Sequence, residues 1–211
     1  IIDQKYFREF EQTQKMLKAQ LFTQPLSIGD QEHVLQAKLE YRDAHLKNSN
    51  YDIIYLRDGA HPSAYSIMTP VRSRILALSV QDEIKITPQL QASLGLRYDH
   101  YQYQPELDGT NKFPISYDAN KKTFGKPSWQ LSAQYDLTEQ HQLGYKIGTG
   151  FRAPKVEELF FEFGKGGANH FMPNTSLKPE TALNQEVTYS FVNDLSQFSV
   201  GVFHSKYRNF I

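Results

Sequence analysis

Leu76-Ala77-Leu78-Ser79-Val80-Gln81-Asp82-Glu83-Ile84-Lys85-Ile86, then Thr87-Pro88-Gln89, then Leu90-Gln91-Ala92-Ser93-Leu94-Gly95-Leu96-Arg97-Tyr98-Asp99-His100 is the stretch that decides the fold. In the second arm Leu90, Ala92, Leu94, Leu96 and Tyr98 share one parity, and Gln91, Ser93, Gly95, Arg97 and Asp99 the other. In the first arm Leu76, Leu78, Val80, Ile84 and Ile86 oppose Ala77, Ser79, Gln81, Glu83 and Lys85. A period of two marks a strand, because successive side chains on extended backbone point to opposite faces. Only Thr87-Pro88-Gln89 separates the arms, so they form a tight hairpin.

The pattern recurs along the chain. Trp129, Leu131, Ala133, Tyr135 and Leu137 alternate with Gln130, Ser132, Gln134 and Asp136, and Thr138-Glu139-Gln140 makes a turn. Leu143, Tyr145, Ile147, Thr149 and Phe151 then alternate with Gln142, Gly144, Lys146, Gly148 and Gly150. A third hairpin runs through Gln185, Val187, Tyr189 and Phe191, turns near 193–196 and returns from Phe198. A noisier pair spans 5–22 and 31–46. Residues 5–22 also admit a helix, being rich in Gln, Glu, Lys and Met, but the strand reading is preferred. About eight strands result.

The connections separate into two kinds. Those near 23–30, 87–89, 138–140 and 193–196 are short; those near 47–70, 104–126 and 153–182 are long and rich in Gly, Pro, Asn and Asp. Short and long alternate strictly. A soluble β-sandwich would share the strand pattern, but its turns would be more evenly spaced. Short turns at one end and long loops at the other are the layout of an antiparallel transmembrane β-barrel, and long strands imply tall walls. The polar parity carries Gln, Asp, Arg, Lys, Ser and many glycines, which suits the wet lumen of a wide barrel better than the packed interior of a small one.

Composition agrees. The 211 residues hold 23 Lys+Arg and 23 Asp+Glu, and this balance argues against a nucleic-acid partner. With no Cys, disulfide scaffolds, thiolate metal sites and thiol nucleophiles are excluded. No apolar run approaches the ~18 residues of a spanning helix, which leaves a strand-built membrane protein open. Aromatics reach 13%, with 13 Tyr and 14 Phe against a single Trp, as interfacial girdles require. The chain opens Ile1-Ile2-Asp3-Gln4 and stops inside a strand-like segment, so it reads as part of a longer protein. No zinc-protease, nucleophile-elbow or calcium-loop motif is present, and neither a catalytic nor a metal site is expected. Glu157 and Glu158, adjacent on extended chain, would point apart.

Two motif boxes bracket the third long connection. Thr149-Gly150-Phe151-Arg152-Ala153-Pro154 ends a strand; Met172-Pro173-Asn174-Thr175-Ser176-Leu177-Lys178-Pro179-Glu180-Thr181 closes the loop, and Asn184-Gln185-Glu186 opens the next strand. This arrangement resembles the TonB-dependent outer-membrane receptors. Tyr207-Arg208-Asn209-Phe210-Ile211 is similar to the Y-R-D-F-I of the haemoglobin and transferrin/lactoferrin receptor branch, with Asn209 in place of the usual Asp. Locally, Pro154 lacks an N–H and ends ladder pairing. Phe151, Arg152, Ala153, Pro154, Pro173, Asn174, Leu177, Lys178, Pro179 and Glu180 are therefore read first as architectural, fixing how the loop leaves and rejoins the wall.

The resemblance implies that residues 1–211 are a partial barrel domain, about eight of roughly 22 strands, with the plug domain absent. It implies the outer membrane of a Gram-negative bacterium, lipid contact, and coupling to the TonB complex through that missing plug. The function implied is active import of heme or iron from heme or host haem proteins, with heme as transported ligand rather than permanent cofactor. Within the loop, Phe160, Phe161, Phe163, Phe171 and Met172 form an apolar, exposed run suited to ligand contact. His170 lies between the boxes, where heme receptors of the family place an axial heme ligand. A siderophore or transferrin/lactoferrin receptor is the first alternative. A passive porin and an outer-membrane lipid hydrolase follow, and no motif supports the hydrolase.

Overall fold

The structure is a computed structural model and describes residues 3–65, 67–107, 117–162 and 171–210. Ten strands form one antiparallel sheet: β1 (Asp3–Phe22), β2 (Leu26–Ile28), β3 (Gln31–Leu56), β4 (Gly59–Tyr65), β5 (Val71–Lys85), β6 (Leu90–Pro105), β7 (Lys122–Asp136), β8 (His141–Arg152), β9 (Glu180–Val192) and β10 (Gln197–Arg208). The path is β1-β3-β5-β6-β7-β8-β9-β10, with short β2 and β4 added against β3. The eight strands of the path are those expected, and residues 5–22 lie in a strand.

Pairing with β3 is what makes β1 a strand: all its residues from Asp3 to Phe22 meet partners from Tyr55 to Gln36. Its polar composition suits a wall wet on one side. The turn that joins them uses Gly29 at φ 63°, a left-handed conformation that costs a glycine nothing.

The first long connection is shorter than its composition implies. β3 continues to Leu56, and β4 folds straight back on it, pairing Leu56 with Gly59 and Asn50 with Tyr65. The alternation of Asn48, Asn50 and Asp52 with Lys47, Ser49, Tyr51 and Ile53 carries the strand on. Polar composition masked this, because both faces of the wall are polar above the lipid band.

Parity sets which face meets lipid. Leu17, Tyr41, Leu76, Leu78, Val80, Leu94, Leu96, Tyr98, Trp129, Leu131, Leu143, Tyr145 and Val187 are exposed large apolar side chains. The register puts them on one face: Leu39–Leu78–Tyr98 and Val80–Leu96–Trp129 run side by side across the sheet. Near the short-turn end, His141 lies 5.9 Å from the Tyr189 ring and 4.9 Å from that of Phe191, and Phe191 pairs with Phe198. This is an aromatic belt at a membrane–water boundary. The opposite face bears Gln81, Glu83, Gln91, Ser93, Gln130, Ser132, Gln134, Lys146, Glu186 and Thr188 around a trough of about 700 Å³.

Among the described residues β1 and β10 do not pair with each other. In hydrocarbon an unpaired strand edge leaves its N–H and C=O groups without partners, so the wall requires neighbours on both sides to span a bilayer.

Candidate functional site: the loop clasp and its inner core

The packed core lies inside the wall at the long-loop end. Ala44 and Leu46 of β3, Val71 of β5 and Tyr103 of β6 supply its wall side. Met68 and a short helix, α1 (Val156–Phe160), supply the other through Val156, Leu159 and Phe160. Tyr117, Phe124, Phe161 and Leu177 close around them. The connection after β8 therefore turns inward, and its apolar residues make it do so. Burying an aliphatic or aromatic side chain contributes about 1.5–3 kcal/mol.

Arg152, the last residue of β8, organises the loop. Its Nε donates to Glu180 Oε2 at 2.9 Å and its Nη2 to Glu180 Oε1 at 2.8 Å, across a register pair of β8 and β9. Its Nη1 donates to Glu158 Oε1 at 3.2 Å. Glu158 Oε2 accepts in turn from the Lys155 N–H at 2.7 Å, at the start of α1. One guanidinium thus joins the exit of the loop, its return and its helix, in the fork geometry that arginine makes with carboxylates.

The remaining motif residues support this clasp. Ala153 is buried and Pro154 wholly so, and β8 ends at Arg152 just before them. The Asn174 N–H donates to the Glu158 carbonyl at 3.1 Å, and the Leu177 N–H to the Asn174 carbonyl at 3.4 Å. The Asn174 side chain accepts from the Ser176 N–H at 3.0 Å. The Pro179 carbonyl accepts from Asn209 Nδ2 at 3.2 Å, with Asn209 at φ 53°, a left-handed conformation that asparagine tolerates. Pro173 and Lys178 lie in the same return segment.

Three expectations change. Phe160 is wholly buried against Tyr117, at a ring distance of 6.2 Å, so it belongs to the core and is not an exposed ligand contact. On α1 it stands four residues after Val156 and so shares the buried stripe of Val156 and Leu159. Glu157 and Glu158 lie on a helix, not on extended chain. Phe151, placed by alternation with the lipid-facing set, meets Tyr101 at 5.8 Å. Tyr101 is on the inward parity, beside Tyr103. The ladder between β7 and β8 stops at Gln130–Gly148, while β8 continues against β9 alone to Arg152.

Phe161 is half-buried and pairs with Met68 in an isolated bridge. Phe171 and Met172 are 64% and 63% exposed. Phe163 and His170 lie outside the described residues. Among the described residues no group of His, Asp or Glu is arranged to hold a metal ion.

Sequence reasoning did not find Met68 or Tyr117, which are distant from α1 in the chain. Burial pushes the Tyr117 phenol up to about 12.

The fold and its inward-clasped loop define an outer-membrane type of β-barrel wall. The chain belongs to the TonB dependent receptor-like, beta-barrel family, whose model matches residues 2–211. That is a family of transport receptors in the outer membrane of Gram-negative bacteria. It is 31% identical over 190 residues to the probable hemoglobin and hemoglobin-haptoglobin-binding protein 4 of Haemophilus influenzae, covering 72% of this chain and 19% of that protein. Hemoglobin and hemoglobin-haptoglobin-binding protein A of Haemophilus influenzae is 27% identical over 187 residues, covering 71% and 17%. The chain therefore spans less than a fifth of the length of these relatives. Among solved structures, the ferric citrate transporter FecA in its unliganded form superposes with a TM-score of 0.72 at 14% identity, covering 97% of this chain and 29% of that one. At that identity the likeness is one of fold.

Proposed function

We propose that this chain is the wall-and-loop portion of an outer-membrane importer that takes up heme from haemoglobin or another host haem protein, with energy coupled through TonB. The observation that carries the reading is the loop after β8. It is tied across the wall by Arg152 and Glu180, and it presents Phe171 and Met172 to solvent. An apolar, aromatic surface at the mouth suits the face of a porphyrin or a protein surface. The names of the haemoglobin-binding relatives support the heme branch over siderophores.

His170, adjacent to Phe171, would supply an axial imidazole to ferric heme. The polar trough on the inner wall would face a plug supplied elsewhere in the receptor, and the plug would carry the contact with the TonB complex. No covalent chemistry is required. Binding energy collected at the loops holds the ligand until the plug moves.

The test is a heme titration of the full-length receptor, followed in the Soret band, with and without His170→Ala. A saturable shift that weakens at least tenfold in the variant supports the reading. No shift in either protein overturns the heme assignment and leaves the barrel assignment standing.

A further inference from the structure

The lipid-facing parity ends abruptly at one row. Leu17, Tyr41 and Leu76 lie across β1, β3 and β5; the next outward row toward the long loops is Lys15, Asp43 and Arg74. The row beyond carries His45 opposite Arg72. Three cations thus surround a single carboxylate on the outer face of the wall.

Their geometry leaves charge to spare. Arg72 Nε donates to Asp43 Oδ1 at 2.9 Å and Nη2 to Oδ2 at 2.6 Å. Arg74 Nε stays 3.9 Å from Asp43 Oδ2, beyond hydrogen-bond reach, and finds no acceptor among the described residues. Lys15 faces Asp43 across the ladder and is exposed. Arg72 and Arg74 are 45% and 43% exposed. Glu106, which also acts on Arg72 electrostatically, is hydrogen-bonded to His45 Nε2 at 3.1 Å. Asp43 therefore fixes one guanidinium fork and leaves an excess of positive charge beside it.

Height decides what this charge meets. From Arg74 to Lys85 on β5 is about 11 residue steps of ~3.4 Å. Tilted at ~40°, this spans roughly 28 Å along the membrane normal, against an apolar band of ~25 Å. With Lys85 at the short-turn boundary, Arg74 comes level with the headgroups of the opposite leaflet. Cations on a lipid-facing parity at that level, where one carboxylate serves three of them, meet the headgroups themselves.

We propose that Lys15, Arg72 and Arg74, oriented by Asp43, form a binding site for the phosphate groups of a phosphorylated glycolipid in the leaflet on the long-loop side. This rests on the outer-membrane reading above. Asp43 takes the Nε and Nη2 of Arg72, so the end of the Arg74 guanidinium and the Lys15 ammonium are what remain for one phosphomonoester, a planar donor and a point charge. Arg74 Nε is itself enclosed, and the part of its guanidinium that stays exposed is what a phosphate can reach. Lipid held here would brace the β1–β3–β5 wall beneath the loops.

The experiment uses the full-length receptor in detergent, with bisphosphorylated lipid A as probe and retained lipid counted by native mass spectrometry. Dephosphorylated lipid A and inorganic phosphate are the comparison arms. The variants are Lys15→Gln, Arg74→Gln and the triple Lys15→Gln/Arg72→Gln/Arg74→Gln. Lys38→Gln, on the inward parity of β3, removes one charge elsewhere. The single variants keep the Arg72–Asp43 pair and so report on binding even if the triple folds poorly; heat-modifiable mobility checks each.

Expected are retention of bisphosphorylated lipid by the wild type and by Lys38→Gln, a several-fold loss in each single variant, and at least a tenfold loss in the triple. Dephosphorylated lipid should be retained no better than by the triple. Equal retention with and without phosphates overturns the proposal in favour of apolar contact alone. Binding of inorganic phosphate at the same affinity as the lipid assigns the site to free phosphate and also overturns it. Cell fractionation separates the levels: a receptor absent from the outer membrane fails the underlying reading, whereas one present and folded, with lipid retention unchanged in the variants, fails only this inference.

Discussion

Arg152 and Glu180 face each other at the last rung of the β8–β9 ladder and make a bidentate pair, with contacts of 2.9 and 2.8 Å. They stand 28 positions apart, and everything between them is the loop. The pair therefore closes the loop at its base, and Glu158 extends the closure to α1. Arg152 is about a third exposed and Glu180 much less so. Removing either charge leaves the other partly desolvated, which costs about 1–3 kcal/mol. Arg152→Gln and Glu180→Gln are each expected to speed proteolytic cleavage between residues 155 and 178, with little effect on the folding of the wall. The double variant should be little worse than Arg152→Gln alone, because that change already removes the shared pair along with the contact to Glu158. Additive effects would show that they act separately.

The inner core makes a second prediction. Phe160 and Leu159 are both wholly buried, and the aromatic side chain is the larger loss. Truncating a buried Phe costs about 3–5 kcal/mol. Phe160→Ala is expected to release α1 from Met68 and Tyr117, seen as faster hydrogen exchange of residues 156–161. Exchange in β5 and β6 near Leu78 and Leu96 should not change. If protection falls across the wall as well, the core is a determinant of the barrel and not of the loop alone.

How much of this was legible in the sequence follows from the physics of each region. Leu76 to Tyr98 was readable because lipid demands apolar side chains on one parity and water permits polar ones on the other. The motif boxes were readable as the ends of a loop. That Arg152 and Glu180 touch was not, because a cross-strand pair needs a register, and a separation of 28 positions hides it. Phe160 was misplaced for a related reason. A five-residue helix is too short to show a period, and its burial depends on Met68 and Tyr117, remote in the chain. The extension of β3 to Leu56 was missed because above the lipid both faces are wet and alternation loses contrast.

Gly148 permits the close approach at the top of the β7–β8 ladder. A Cβ there would lie 2.8 Å from the Trp129 carbonyl oxygen and 3.0 Å from Gln130 Cβ. The oxygen is backbone and cannot step aside. Gly148→Ala is expected to part β7 from β8 locally, raising exchange of the Trp129 and Gln130 amides and loosening the path by which Phe151 reaches Tyr101. Gly144→Ala, with 3.7 Å to its nearest neighbour, is the control and should be silent. Equal effects would mean that crowding at Gly148 is relieved by small shifts.

The two faces of the wall can be set against each other on adjacent residues of one strand. Leu78 points outward and is exposed, Ser79 points into the trough side, and both sit in the middle of β5. A charged side chain near the bilayer midplane on the lipid face costs about 2–4 kcal/mol, and on the lumen face far less. In the full-length receptor, Leu78→Arg should lower the yield of heat-modifiable, membrane-inserted protein, while Ser79→Arg should insert normally. The comparison holds side chain, strand and depth nearly constant, so only the direction of the side chain differs. If both insert equally well, the outward parity does not meet lipid, and the height argument that places Lys15, Arg72 and Arg74 at the headgroups falls with it.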